Sequence, residues 1–341
     1  MTIKDIAKES GYAVGTVSRV LNNHPDVSET ARAKILAVVE KHHFRLNSNA
    51  KHLKQQASNG IAVLVKGSQN MLFAAIVEQL QGMIREKGYA CLIFYIREDE
   101  NEVEQAVQVC RERRPMGILF LGSNLDYFSQ GFHGVTVPCV LVTNSAETLD
   151  FPNLSSVSTD DAAAAEAAVS YLIGLGHEKI GVLGGYRKLS RPAYTRYMGC
   201  KKAFSEHGIP FLQEEQYEEA FFAMPEGYEA MKRLLEKQPG LTAVFAMSDV
   251  MAVGAVRAIL DQGLSVPEDV SVMGFDGIDL GSYLTPRLTT VRQNGELIAS
   301  RSLEILLRNI GEDAGAVYEL VPFEIVVGES TRQLNMENLE E

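Results

Sequence analysis

The sequence predicts an all-α headpiece of helix-turn-helix type, followed by an α/β core built as two similar units. Two patterns carry this. Up to about residue 45, apolar residues recur at helical spacing in three short segments; from Gly60 onward, short and almost continuous apolar runs alternate with helical stretches. A polar segment from Arg45 to Ser58 separates them.

In the headpiece, Thr2 with Asp5 has the form of a capping box, and Ile3, Ile6 and Ala7 give the helix it opens one apolar side. Gly11-Tyr12 breaks that helix, and a second is expected from about Val14 to Asn22. On a helical wheel Val14, Val17, Val20 and Leu21 fall in one arc, while Gly15, Thr16, Ser18, Arg19 and Asn22 fall in the other. One side packs and the other is free to touch something polar. Asn22-Asn23-His24-Pro25 ends the helix, Ser28 suits the cap of a third, and Ala31, Ile35, Val38 and Val39 supply its buried stripe. Two short helices joined by a tight turn and braced by a third would lay the second helix in the major groove of DNA.

Ile3-Lys-Asp-Ile-Ala7, Thr16-Val-Ser-Arg-Val-Leu-Asn22 and Val27-Ser-Glu-Thr-Ala-Arg32 follow one another at a characteristic spacing. With them the run from Thr2 to Leu53 resembles the DNA-binding headpiece of the LacI (lactose repressor) family of bacterial transcription regulators. The resemblance implies that 46–58 is a hinge helix, ordered when two copies meet in the minor groove, with Leu53 as the wedge that kinks the DNA. Leu46 stands where many members have proline, leaving the entry to the hinge less rigid. Val14 and Gly15 occupy the positions that relatives use to read bases. Neither donates a bidentate hydrogen bond, so discrimination there would rest on methyl contact and close approach. Thr16, Ser18, Arg19 and Asn22 are expected to contact phosphates or base edges.

In the core, Ile61–Val65, Cys91–Tyr95, Gly117–Leu121 and Cys139–Val142 read as strands buried on both faces of a parallel sheet. A second series, Ile180–Leu183, Thr242–Phe245 and Val270–Met273, alternates with helices near 161–175, 193–207, 227–237 and 250–262. Leu175-Gly-His-Glu-Lys-Ile-Gly181, Ser248-Asp-Val-Met-Ala252 and Gly274-Phe-Asp-Gly-Ile-Asp279 look like the effector-binding core of the same family, extending the resemblance to about Gln333. The implied fold is an all-α helix-turn-helix headpiece plus an α/β two-lobed periplasmic-binding-protein-like core. The expected boundaries are 1–45 for the headpiece, 46–58 for the hinge, 59–335 for the core and 336–341 for an acidic tail. Within the core, lobe 1 takes about 60–159 and 291–321, and lobe 2 takes 160–290 and 322–335.

The net charge of −12 divides unevenly: residues 1–58 carry nine Lys/Arg and five Asp/Glu, net +4, leaving −16 for the rest. The positive field sits on the end that would meet phosphate. A charged N-terminus without an apolar stretch argues against a secretory signal, and no apolar run is long enough to span a membrane. Cys91, Cys110, Cys139 and Cys200 form no metal-ligand pattern and read as reduced thiols filling the core of a cytoplasmic, nucleoid-associated bacterial protein. No metal and no cofactor is expected.

Parallel α/β sheets bind ligands at the carboxyl ends of their strands. That rule selects Asp161, Ser248, Asp249 and Asp276, and the resemblance adds Arg196, in an Arg-x-x-Gly arrangement, and Phe73 as an aromatic cover for a sugar ring or a base. Arg196 and Asp276 together suit vicinal hydroxyls, because a guanidinium donates to two oxygens and a carboxylate accepts from two O–H groups. Ser248 departs from the asparagine common at its position.

Catalysis is not expected. Asp160-Asp161 and Glu214-Glu215 are adjacent pairs that do not face one another, Gly181–Gly185 has neither the phosphate-loop nor the dinucleotide spacing, and no His-Glu-x-x-His occurs. The expected function is sequence-specific binding of a palindromic operator as a homodimer, of repressor type, with affinity controlled by a sugar or sugar derivative. Induction and corepression are both compatible with the sequence. The alternatives are control by a protein corepressor, or a solute-binding protein of a transport system. The tail shows no sustained leucine heptad, so a coiled-coil tetramer is not supported.

Overall fold

The computed structural model describes residues 3–21, 26–42, 59–67, 70–188, 190–312 and 314–334. Thr2, Asn22, the 46–58 segment with Leu53, and the 336–341 tail lie outside the described residues. The chain separates into two compact units, Met1–Ala57 and Ser58–Glu341.

The first unit holds α1 (Ile3–Ser10), α2 (Val14–Leu21) and α3 (Glu29–Lys41). Gly11, at a φ of +78°, makes the turn after α1, and Ser28 caps α3 by accepting from the Ala31 N–H. Ile6, Ala7, Val17, Val20 and Ile35 form its core. Glu9 binds both Lys41 Nζ and His42 Nε2 at 2.8 Å, tying α1 to the end of α3. Val14 differs from the wheel expectation. It is 41% exposed, because at the first residue of α2 neither neighbouring helix covers it.

The second unit contains two six-stranded sheets. Its strands are β1 (Gly60–Lys66), β2 (Ala90–Ile96), β3 (Gly117–Leu121), β4 (Cys139–Val142), β5 (Leu154–Thr159), β6 (Ile180–Gly184), β7 (Tyr217–Glu219), β8 (Ala243–Ala246), β9 (Ser271–Asp276), β10 (Thr289–Gln293), β11 (Tyr318–Val321) and β12 (Phe323–Val326). The sheet orders are β11-β5-β4-β3-β1-β2 and β12-β10-β9-β8-β6-β7; all neighbours are parallel except β10 and β12. Its α-helices are α4 (Met71–Glu86), α5 (Glu102–Arg113), α6 (Leu125–Gly131), α7 (Asp161–Gly174), α8 (Arg191–Glu206), α9 (Gln213–Gln216, a single turn), α10 (Met224–Lys237), α11 (Asp249–Asp261) and α12 (Gly295–Glu312).

Burial on both sheet faces explains the apolar runs. Along β1, Ile61, Val63 and Val65 enter the core shared with α4 and α12, while Ala62 and Leu64 enter the opposite core with Val103 and Phe128. The second sheet is sandwiched likewise, by α7 and α8 on one face and α10 and α11 on the other. The chain crosses between lobes three times: from β5 to α7, from β10 to α12 and from β11 to β12. Because β10 pairs with β9 as far as Arg292 and with β12 as far as Gln293, the second crossing falls after Gln293, later than the expected boundary at 290/291. Among the described residues no helix is long and apolar enough to cross a membrane.

Candidate effector cleft and DNA-reading helix

A cleft of about 650 Å³ opens between the lobes at the carboxyl ends of both sets of strands. Arg196, one turn into α8, is its centre. Its Nε donates to Asp161 Oδ1 at 2.7 Å, and its Nη1 donates to the Met247 carbonyl at 2.5 Å and lies 3.9 Å from Asp276 Oδ1. The guanidinium carbon sits 3.7 Å from the Phe275 ring centroid, so the fork is held flat as well as neutralised. Asp276 ends β9 at a φ of +114°, and a Cβ on the following Gly277 would strike the Arg292 backbone. This tight turn at the strand end costs about 1–3 kcal/mol of backbone strain and is the kind of outlier that gathers at binding sites. Gln293, the last residue of β10, donates to Asp276 Oδ1 at 2.8 Å. Burial raises the Asp276 pKa to about 6, opposed by Arg196.

Of the candidate effector residues, Phe73, Arg196, Ser248 and Asp276 line the cleft. Asn70 caps α4 by accepting from the Phe73 N–H at 3.1 Å, and the Phe73 ring rests on Gly122, where a Cβ would come within 2.8 Å of it. Ser248 caps α11 by accepting from the Met251 N–H, which leaves its own hydroxyl hydrogen to donate.

Asp161 and Asp249 do not line the cleft, which corrects the expectation for both. Each is the first residue of a helix, turned to the layer behind the wall. Asp161 supports Arg196, and its pKa is raised by burial despite that partner. Asp249 lies 2.8 Å from the Ile278 N–H and 2.6 Å from Thr290 Oγ1, and burial together with Asp276 pushes its pKa up to about 8.

The first lobe contributes two residues that sequence reasoning missed. Asn144 donates through Nδ2 to the Ser123 carbonyl at 2.7 Å, while Asn144 Oδ1 and Ser123 Oγ are buried, lack a partner among the described residues and belong to cleft-lining side chains. Buried polar atoms are ordinarily satisfied, which makes these two candidate contacts for a ligand. The strand-end rule finds them: Ser123 follows β3 and Asn144 follows β4, beside Thr143 at a φ of +77°. Lys66, at the end of β1, bonds Glu102 Oε2 at 2.6 Å with its ammonium 4.9 Å from the Tyr127 ring centroid.

In the first unit, Val14, Gly15 and Arg19 are exposed on α2, and Thr16 and Ser18 are half-exposed. A Cβ on Gly15 would meet nothing within 4 Å, so nothing in the described chain requires glycine there. Among the described residues no group of His, Cys, Asp and Glu could hold a metal ion.

Residues 2–47 match the bacterial regulatory proteins of the lacI family, and 169–331 match the periplasmic binding protein-like domain. The HTH-type transcriptional regulator MalR of Clostridium butyricum is 36% identical, over 97% of this chain and 99% of its own length. The probable HTH-type transcriptional repressor ExuR of Bacillus subtilis is 32% identical, over 98% and 99%. The lac repressor dimer bound to operator and the anti-inducer ONPF superposes with a TM-score of 0.72 at 26% identity, covering 97% of this chain and 99% of that one. With the headpiece matched at 2–47 and a 36% identical relative aligned over 97% of the chain, the chain belongs to the lacI family of bacterial transcriptional regulators.

Proposed function

We propose that this regulator binds a near-palindromic operator as a homodimer and that an uncharged, hydroxyl-rich sugar in the cleft controls its affinity. In this reading α2 enters the major groove, with Val14 and Gly15 against base edges and Thr16, Ser18, Arg19 and Asn22 on edges or phosphates, and Leu53 opens the central step. The Arg196–Asp276 pair carries the effector assignment. Both groups are 7% exposed, Arg196 on α8 and Asp276 at the end of β9, and a fork of donors beside a carboxylate acceptor matches adjacent hydroxyls.

The charge of the lining argues against an anionic effector. Lys66 and Arg196 are already paired with Glu102 and Asp161, while Glu98, Asp99 and Asp276 add carboxylates to the lining. A sugar touching Ser123 and Asn144 in one lobe and Arg196 and Asp276 in the other favours one lobe arrangement. By linkage it then changes operator affinity by the factor by which operator changes sugar affinity.

The test is fluorescence anisotropy of operator-type DNA titrated with the protein, with and without each member of a sugar panel. A neutral sugar is expected to shift the DNA affinity. Asp276→Asn keeps a side chain tolerant of positive φ and should abolish that shift while leaving DNA affinity without sugar unchanged. A variant that responds as the wild type removes Asp276 from the site.

A further inference from the structure

Outside residues 1–58 the chain carries a net charge of −16, yet one edge of the first lobe is basic. It is the edge at which β1 begins. Asn59 accepts from the Ala90 N–H at 3.0 Å and donates through Nδ2 to the Gly88 carbonyl at 3.2 Å, while the Gly60 carbonyl accepts from the Met116 N–H at 2.8 Å. The start of β1 is therefore flanked by the corner from α4 to β2 and the corner from α5 to β3, about 10 Å apart across the strand. Over residues 83–89 and 110–116 these corners hold Arg85, Lys87, Arg111, Arg113 and Arg114 against Glu86 and Glu112, a net of +3. All five cations are exposed, and none makes an ion pair or a side-chain hydrogen bond among the described residues.

The second lobe has the opposite charge at the equivalent place. In its sheet β6 lies between β7 and β8, as β1 lies between β2 and β3. The corresponding corners, 203–216 and 234–242, hold Glu206, Glu214, Glu215 and Glu236 against Lys237, a net of −3, and Lys237 is bound to Glu218 at 2.6 Å. A helix C-terminus favours a nearby cation by about 0.3–1 kcal/mol, but that preference acts on both lobes alike and does not account for the reversal. Exposed like charges gathered at one edge repel one another and gain only when an anion is brought to them. The chain enters β1 from the helix-turn-helix unit through residues 43–58, so along the chain this is the part of the core nearest to α2.

Resting on the reading of α2 as a DNA-binding helix, we propose that Arg85, Lys87, Arg111, Arg113 and Arg114 form a second DNA contact, on the core itself. The edge takes the phosphate backbone of double-stranded DNA, to which guanidinium forks bind in bidentate fashion. It adds affinity without sequence preference, so base reading stays with the headpiece.

The experiment is fluorescence anisotropy of the full chain on a labelled random-sequence duplex of about 40 base pairs, between about 50 and 200 mM KCl. Arg85→Gln, Lys87→Gln, Arg111→Gln and Arg113→Gln, combined, should make the plot of log affinity against log salt shallower by about 2 to 4 and weaken binding about tenfold or more at the low-salt end. The charge-keeping set Arg85→Lys, Arg111→Lys and Arg113→Lys should retain the wild-type slope. A second-lobe set with the same charge change, Lys179→Gln, Lys188→Gln, Arg191→Gln and Lys201→Gln, should move the slope by less than about 1. All these positions are exposed, so the core is untouched. An unchanged slope in the first set, loss of slope in the lysine set, or an equal loss in the second-lobe set overturns the core contact and leaves the reading of α2 standing. If the first set instead loses sedimentation with phosphatidylglycerol vesicles while its DNA slope holds, the edge meets a membrane surface and the proposal falls. A wild-type protein that binds no duplex at any of these salts overturns both readings.

Discussion

Asp249→Asn offers the sharpest test of the layer behind the cleft. Asp249 is fully buried, and burial with the nearby Asp276 carboxylate lifts its pKa to about 8. Between the ordinary carboxylate range and that value, the folded chain keeps a proton that the unfolded chain has released. Folding therefore takes up a proton, and stability falls as the pH rises through this window and levels off above about 8. From pH 6 to pH 8 one such site loses about 2 kcal/mol, with a steepest slope of about 1.4 kcal/mol per pH unit.

Asparagine reproduces the protonated geometry. Its oxygen accepts from the Ile278 N–H, and its NH2 replaces the acid proton toward Thr290 Oγ1, which can then donate to the Val291 carbonyl oxygen 3.3 Å away. Urea unfolding of the core, followed by circular dichroism at pH 6, 7 and 8, should show the wild type losing about 2 kcal/mol and the variant less than about 0.5 kcal/mol. Equal slopes in the two proteins would place the proton elsewhere and refute the assignment.

Two glycines make opposite predictions. A Cβ on Gly199 would collide with the Ala162 carbonyl oxygen and come within 3.1 Å of Ala165 Cβ, so Gly199→Ala should cost about 1–3 kcal/mol by forcing α8 away from α7; an unchanged urea midpoint would contradict this packing. Gly15→Ala meets open space, so it should stabilise the headpiece by about 0.5–1 kcal/mol yet weaken operator binding if DNA approaches that backbone closely. Equal or tighter operator binding by Gly15→Ala would show that no close approach occurs there.

The sequence makes much of the fold legible because the strands that pack on both faces are almost purely apolar, as Ile61–Val65 and Gly117–Leu121 are. Leu154–Thr159 hides its strand: three serines and a threonine interrupt the run, and Ser155 is tolerated in the interior because its Oγ accepts from the Val317 N–H at 3.1 Å and from Asn309 Nδ2 at 3.3 Å, partners 162 and 154 residues away. Tyr217–Glu219 is too short to show a pattern. The strand-end rule picked out Asp276 and Ser248 at the cleft wall but could not separate them from Asp161 and Asp249, and Arg196, inside a helix, came only from the family resemblance. The rule gives a position along the chain and says nothing of the direction in which a side chain turns.

What the amino-acid sequence by itself determined is local and periodic: three headpiece helices, the alternation of strand and helix, the confinement of positive charge to one end, and the family. Only the tertiary structure decided which carboxylates face the cleft and which support Arg196 and Thr290 from behind. It alone brought Ser123, Asn144 and Gln293 to one cavity. The physical reason is that burial, pKa and hydrogen-bond satisfaction depend on neighbours from distant strands: the Arg196–Asp161 bond spans 35 residues and the Thr290–Asp249 bond spans 41, distances over which no local pattern in the chain carries information.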